Sequence, residues 1–192
     1  RDKSLIEFLF SDVDIGSLGR LSLPRTPLLY ENAALLMLEE HCDAWPLLCD
    51  TSRFAVVWLE KYLRHYQPLT VKYDDLRLQL ESCLSDGHVL ILTDCDMKRL
   101  AQDKRIRQVL VNQRRFIQSQ HPFKLLIQDH EVECSPQFRL FLHTTQLPAH
   151  VPHSLAAYAN IIKFSLTRDC LEEVFLDRFL EIEKPRIDTE RK

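Results

Sequence analysis

Apolar residues fall along this chain in short blocks whose period switches between two residues and three to four, which predicts strands and helices in alternation. Residues 4–10 form a short apolar helix candidate, and the loop after it is punctuated by Gly16, Gly19, Pro24 and Pro27. Residues 31–41 place Ala34, Leu35, Leu38 and Cys42 at helical spacing. Trp45-Pro46 ends that helix, because a residue before proline avoids helical backbone. Residues 46–49 then read as a brief buried strand. Asp50, Thr51 and Ser52 offer three successive caps for a helix with Phe54, Val57, Trp58 and Tyr62 on its inner face.

The unit repeats. Residues 69–73 are a second strand, followed by a helix capped by Asp74 or Asp75 that turns Leu76, Leu80, Cys83 and Leu84 inward and stops near Gly87. Residues 88–93 are the most apolar run, continuous rather than alternating, as a central parallel strand buried on both faces requires. A helix carrying Leu100, Ile106, Val109 and Leu110 follows. Strands are expected at 123–128, 132–134 and 139–144, with Asp129-His130 turning a hairpin, and a last strand at 161–166. Thr167 caps a final helix with Leu171, Val174, Phe175, Leu176 and Phe179 inward, and the compact part ends near Lys184-Pro185. Such alternation implies an α/β fold, a mainly parallel sheet of about five strands covered by helices on both faces.

Composition narrows the function. At 192 residues and 45% hydrophobic content the chain can bury one well-formed core. Only three glycines occur, and loops that wrap phosphates lean on glycine. A formal net charge of −3, with the signs mixed, gives no basis for wholesale binding to nucleic acid or an anionic membrane. Six cysteines stand singly in mostly apolar surroundings, which suits reduced cytosolic thiols. With no membrane-length apolar run and no signal-like start, the chain reads as soluble and intracellular. Its non-methionine start and charged end read as a segment of something longer.

In an open parallel sheet, chemistry belongs beyond the carboxyl ends of the central strands. The first such turn, Cys49-Asp50-Thr51-Ser52-Arg53-Phe54, lacks the glycines and lysine of a phosphate loop, and Asp50 would repel a phosphate. Thr51 or Ser52 could bind magnesium with Arg53 in place of lysine, but helix capping accounts for them better. The second turn, Leu92-Thr93-Asp94-Cys95-Asp96, keeps an aspartate where magnesium would be held. It puts Cys95 where a glutamate would polarise water. In the third, Thr145 or Gln146 could sense a γ-phosphate, but has none opposite to sense. No arginine occurs between Thr144 and Ile162 to complete a neighbour's site. His143, His150 and His153 are interrupted by Pro148 and Pro152 and form no rigid metal face; His41, Cys42 and Cys49 form none either. The basic residues between Lys98 and Arg115 read as the solvated face of a helix. These residues predict no catalytic group, cofactor or metal.

Several blocks in order carry a resemblance: residues 6–14 with Leu23-Pro24, Glu31-Asn32-Ala33, Trp45-Pro46-Leu47-Leu48-Cys49-Asp50, residues 138–145 with Leu147-Pro148, residues 162–167, Leu171-Glu172-Glu173 and Glu183-Lys184-Pro185. With these the chain resembles the fifth AAA+ module of dynein heavy chains, the ATP-binding dynein motor region. It departs from that family at Thr51-Ser52, where proline and glutamine are usual, and around Gln128-Asp129, where glycines are common. The resemblance implies an AAA+ large subdomain over 1–183, with 184–192 starting a helical extension. It also implies a non-hydrolysing place in a six-module ring that relays motion for microtubule-based movement. Partners would be the neighbouring modules, with microtubules and other dynein subunits reached only through the parent protein. The setting would be the cytoplasm and cytoskeleton, including cilia or flagella. Two alternatives stay open: a P-loop-type domain with a degenerate cradle, and a free-standing interaction domain.

Overall fold

The computed structural model describes residue 23, residues 26–38, 44–146 and 148–164, and residues 168, 171, 172, 175, 176, 179, 180 and 183. The expected helix at 4–10, the glycines at 16 and 19, Cys42, Leu147, Ser165 to Thr167, Cys170, Val174 and the extension at 184–192 lie outside the described residues.

Helix α1 spans Pro27–Leu38, four residues ahead of the expected start. Pro27 begins the helix instead of belonging to the loop. A first-turn residue needs no hydrogen-bonded N–H, and its fixed φ already suits helical backbone. Leu29, Ala33 and Leu36 are buried beside the expected Ala34 while Leu35 is exposed, so the inner face is rotated in part from the expected one. Strand β1 (Trp45–Cys49) leads into α2 (Phe54–Tyr62), which buries Ala55, Val56, Trp58 and Leu59 and leaves Val57 outside. Strand β2 (Leu69–Lys72) stops one residue early, because Tyr73 already opens a 3-10 turn, Tyr73–Leu78. Helix α3 (Leu80–Asp86) then ends on Gly87 at φ +74°, and Leu76, Leu80, Cys83 and Leu84 are buried as expected.

Strand β3 (Val89–Thr93) is buried at all five positions. The single helix expected after it is three: α4 (Met97–Gln102), α5 (Lys104–Val111) and α6 (Gln113–Gln118). Asp103 makes the first break. Its backbone is extended, and its side chain accepts from the Arg105 amide, restarting the helix instead of continuing it. Strands β4 (Phe123–Ile127) and β5 (His130–Cys134) form an antiparallel hairpin separate from the main sheet. Ile127 pairs with His130, so the turn is Gln128-Asp129, with Gln128 at φ +56°, one residue earlier than expected. Strand β6 (Arg139–Thr144), a short helix α7 (His153–Ala156) and strand β7 (Ala159–Lys163) complete the chain's described core.

The main sheet has five strands in the order β2-β3-β6-β1-β7, all parallel. Side chains alternate between its faces. Leu47, Cys49, Leu90 and Leu92 pack with α3, α4 and α5 in one core. Leu48, Val89, Ile91 and Ile162 pack with α1 and α2 in the other. This is a five-stranded parallel α/β sandwich consistent with an AAA+ large subdomain. Cys49, Cys83, Cys95 and Cys134 are free, buried thiols. No helix among the described residues is long and apolar enough to cross a membrane. A further expectation is overturned: Leu171, Phe175, Leu176 and Phe179 stand in helical backbone but are exposed, Phe175 by 69%. Periodicity identifies an apolar face; it does not supply a surface for that face to cover.

Candidate functional site

The carboxyl ends of β1, β3 and β6 converge, and the turns that follow them are tied to one another. Asp50 is fully buried. Its carboxylate accepts from the Ser52 amide at 2.8 Å, the Ser52 hydroxyl at 2.7 Å and the Ala55 amide at 2.7 Å. Of the three expected caps, Asp50 is thus the one used, reaching past the end of the helix to an amide five residues on. The residue directly at the helix start is Arg53, in left-handed backbone at φ +63° with no side-chain cap. A phosphate at this position would use the same N–H groups, since a helix start presents its unpaired amides to anions. Here the chain's own carboxylate holds two of them, the Ser52 and Ala55 amides.

Arg53 spans the gap to the second turn. Its Nη2 donates to both carboxylate oxygens of Asp94, at 2.5 and 2.6 Å. Asp94 is likewise left-handed, at φ +57°, so both ends of the bridge sit in backbone that non-glycine residues enter at a cost of roughly 1 kcal/mol or more. The expected degenerate phosphate-loop and metal-site residues, Arg53 and Asp94, are therefore brought together as an ion pair. Thr51 is exposed and Ser52 faces Asp50. Cys95 is 2% exposed, and burial pushes its thiol up to about 12, which keeps it protonated and non-nucleophilic.

The third strand supplies what sequence reasoning missed. His143, with no exposed surface, stands between the first two turns. Its Nε2–H donates to the Asp50 carbonyl at 3.1 Å, and its Nδ1 accepts the Asp94 amide at 3.5 Å. Only the neutral Nε2–H tautomer makes both bonds. Burial holds the imidazole below its ordinary 6.5, against the opposing pull of Asp50 and Asp94. Thr144 donates its hydroxyl to the Cys95 carbonyl at 2.8 Å and accepts the Gln146 amide at 3.1 Å. Gln146 accepts the Met97 amide at 3.2 Å, and Asp96 caps α4 at the Lys98 and Arg99 amides. The expected sensor position Gln146 is thus a strut of the second turn, and Thr145 is exposed. His150 and His153 lie on the surface, apart from the buried His143. The signal for His143 was a lone histidine inside the apolar run of β6.

The basic residues divide. Arg99 pairs with Asp74 at 2.9 Å and lies over Tyr73, Arg105 pairs with Asp103, and Arg115 covers Phe123, while Lys98 and Arg107 are solvated.

Residues 20–192 match the family described as the ATP-binding dynein motor region. The chain is 26% identical over 185 residues to dynein axonemal heavy chain 9 of Homo sapiens, covering 95% of this chain and 4% of that one. It is 29% identical over 192 residues to dynein axonemal heavy chain 8 of Mus musculus, covering 98% and 4%. With the dynein gamma chain of the flagellar outer arm of Chlamydomonas reinhardtii it shares 26% over 190 residues, covering 97% and 4%. The chain spans about 4% of the length of these relatives.

Proposed function

The chain belongs to the family of the ATP-binding dynein motor region, and from that premise we propose that it is the non-hydrolysing fifth AAA+ module of a dynein heavy chain, relaying conformational change between neighbouring modules. The observation that carries the reading is the Asp50 carboxylate, which is buried and bound to the very amides a phosphate cradle would need. A second anion there would meet that charge and find the Ser52 and Ala55 amides already taken. The Arg53–Asp94 bridge points the same way, since it neutralises the carboxylate that would otherwise attract a divalent cation. On this reading 1–183 is the large subdomain and 184–192 begins a helical exit. Its partners are the adjacent modules, microtubules are met only through the parent protein, and its setting is the cytoskeleton of cilia or flagella, as its relatives' names suggest.

Titration calorimetry of the chain with ATP and magnesium tests the non-hydrolysing part. No saturable heat is expected up to about 1 mM nucleotide. Magnesium-dependent binding with a dissociation constant near 1 μM, roughly 8 kcal/mol of affinity, would overturn it.

A further inference from the structure

His143 reaches a different turn with each ring nitrogen, and protonation acts on only one of them. Nε2 carries a hydrogen in both charge states, so its donation to the Asp50 carbonyl at 3.1 Å survives. Nδ1 has to give up the Asp94 amide, and at 3.5 Å that is the weaker contact. The first turn is therefore held in either state, with the Asp50 carboxylate still on the Ser52 and Ala55 amides. The change falls on the second turn.

That turn is built to move. Asp94 stands in left-handed backbone at φ +57°, a conformation that a non-glycine residue leaves at a gain. Its carboxylate is bound by Arg53 in a bridge whose side chains are 56% and 32% exposed, Arg53 the more so. An ion pair that open to water holds weakly, whereas a buried imidazolium N–H with no acceptor is costly. The charged groups facing the ring are Asp50 from the turn after β1, Arg53 from the start of α2 and Asp94 from the turn after β3. Asp50 is already committed and Arg53 repels a cation, which leaves the Asp94 carboxylate as the acceptor.

We propose that these turns form a proton-operated switch: when His143 is protonated, the Asp94 backbone leaves its left-handed state, the Asp94 carboxylate accepts from Nδ1–H, and Arg53 is released to solvent. One proton is taken up from water and none is passed on. The switch uses the chain's own groups in the nucleotide-free protein and does not rest on the non-hydrolysing reading. Calorimetric binding of ATP would overturn that reading and leave this one standing.

Nuclear magnetic resonance of the isotopically labelled chain, followed from about pH 8 to about pH 4, tests it. The His143 ring should titrate within the folded chain, with a midpoint below 6.5 because burial opposes its charge. Through the same midpoint the Asp94 amide should shift and the Arg53 guanidinium should lose its order, while the Ser52 and Ala55 amides hold still. Arg53→Gln should raise the midpoint by roughly 0.5–1 pH unit, since it removes a repelling cation and the competitor for Asp94. Asp94→Asn should lower it by about as much. The switch is overturned if His143 titrates only as the chain unfolds, if Arg53 stays ordered once the ring is charged, or if neither substitution moves the midpoint. The first two outcomes are read on the natural chain, so they decide the matter even where a variant fails to fold.

Discussion

His143 joins two turns that are 44 residues apart in sequence, from Asp50 to Asp94, and does so only while neutral. Protonation would place an Nδ1–H against the Asp94 amide. Because burial lowers its pKa below 6.5, the unfolded chain takes up a proton that the folded chain refuses. Stability contributed by neutral His143 is therefore full above about pH 6.5 and declines as pH falls towards the folded-state value. Urea midpoints measured across this interval should fall on the acid side for the natural chain and less steeply for His143→Gln. An unchanged slope would remove His143 as the source. The acidic and basic members of the site were legible as chemistry out of place. Their pairings were not, since Arg53 and Asp94 are 41 residues apart and nothing in local spacing points one at the other.

Among the elements, β3, buried at every position, and β6, buried over its last three, were legible nearly to the residue. The helices were displaced where a polar side chain or a proline decided the boundary: Asp103 divided the helix after β3, and Pro27 started α1 early. Gly87 belongs to the other kind, since its left-handed backbone is both a helix stop and a spatial necessity. A Cβ there would lie 2.5 Å from the Ser135 hydroxyl, and Ser135 is itself anchored by its amide to the Leu84 carbonyl at 2.8 Å. Gly87→Ala should therefore lower stability by roughly 1–3 kcal/mol, combining backbone strain with the displacement of β5's exit. Chemical denaturation of the variant checks this; a loss below about 0.5 kcal/mol would mean that the serine swings aside freely.

For the whole molecule, one sheet serves two cores, and the only two tryptophans stand on opposite sides of it: Trp45 with Phe116 and Phe138, Trp58 stacked on Tyr62 and Phe164. Trp58→Ala should cost about 3–5 kcal/mol. In that variant the remaining indole reports solely on the far face. If the sheet couples the cores, Trp45 fluorescence and far-ultraviolet dichroism will shift to the same lower urea midpoint; separate midpoints would show two independently melting halves. The strand order that creates this coupling was not legible from periodicity, because a doubly buried strand reads alike at any interior place. The resemblance implied a large subdomain, and the order itself is read from the structure. It also sets a timetable for synthesis. Strand β1 pairs with β6 and β7 alone, so this mostly buried segment waits without a neighbour until residues up to 144 have left the ribosome. At ordinary elongation rates that is on the order of ten seconds. Throughout it the apolar stretch Trp45–Cys49 is a natural target for a chaperone, and a nascent chain stalled short of β6 would stay sticky however complete its first half.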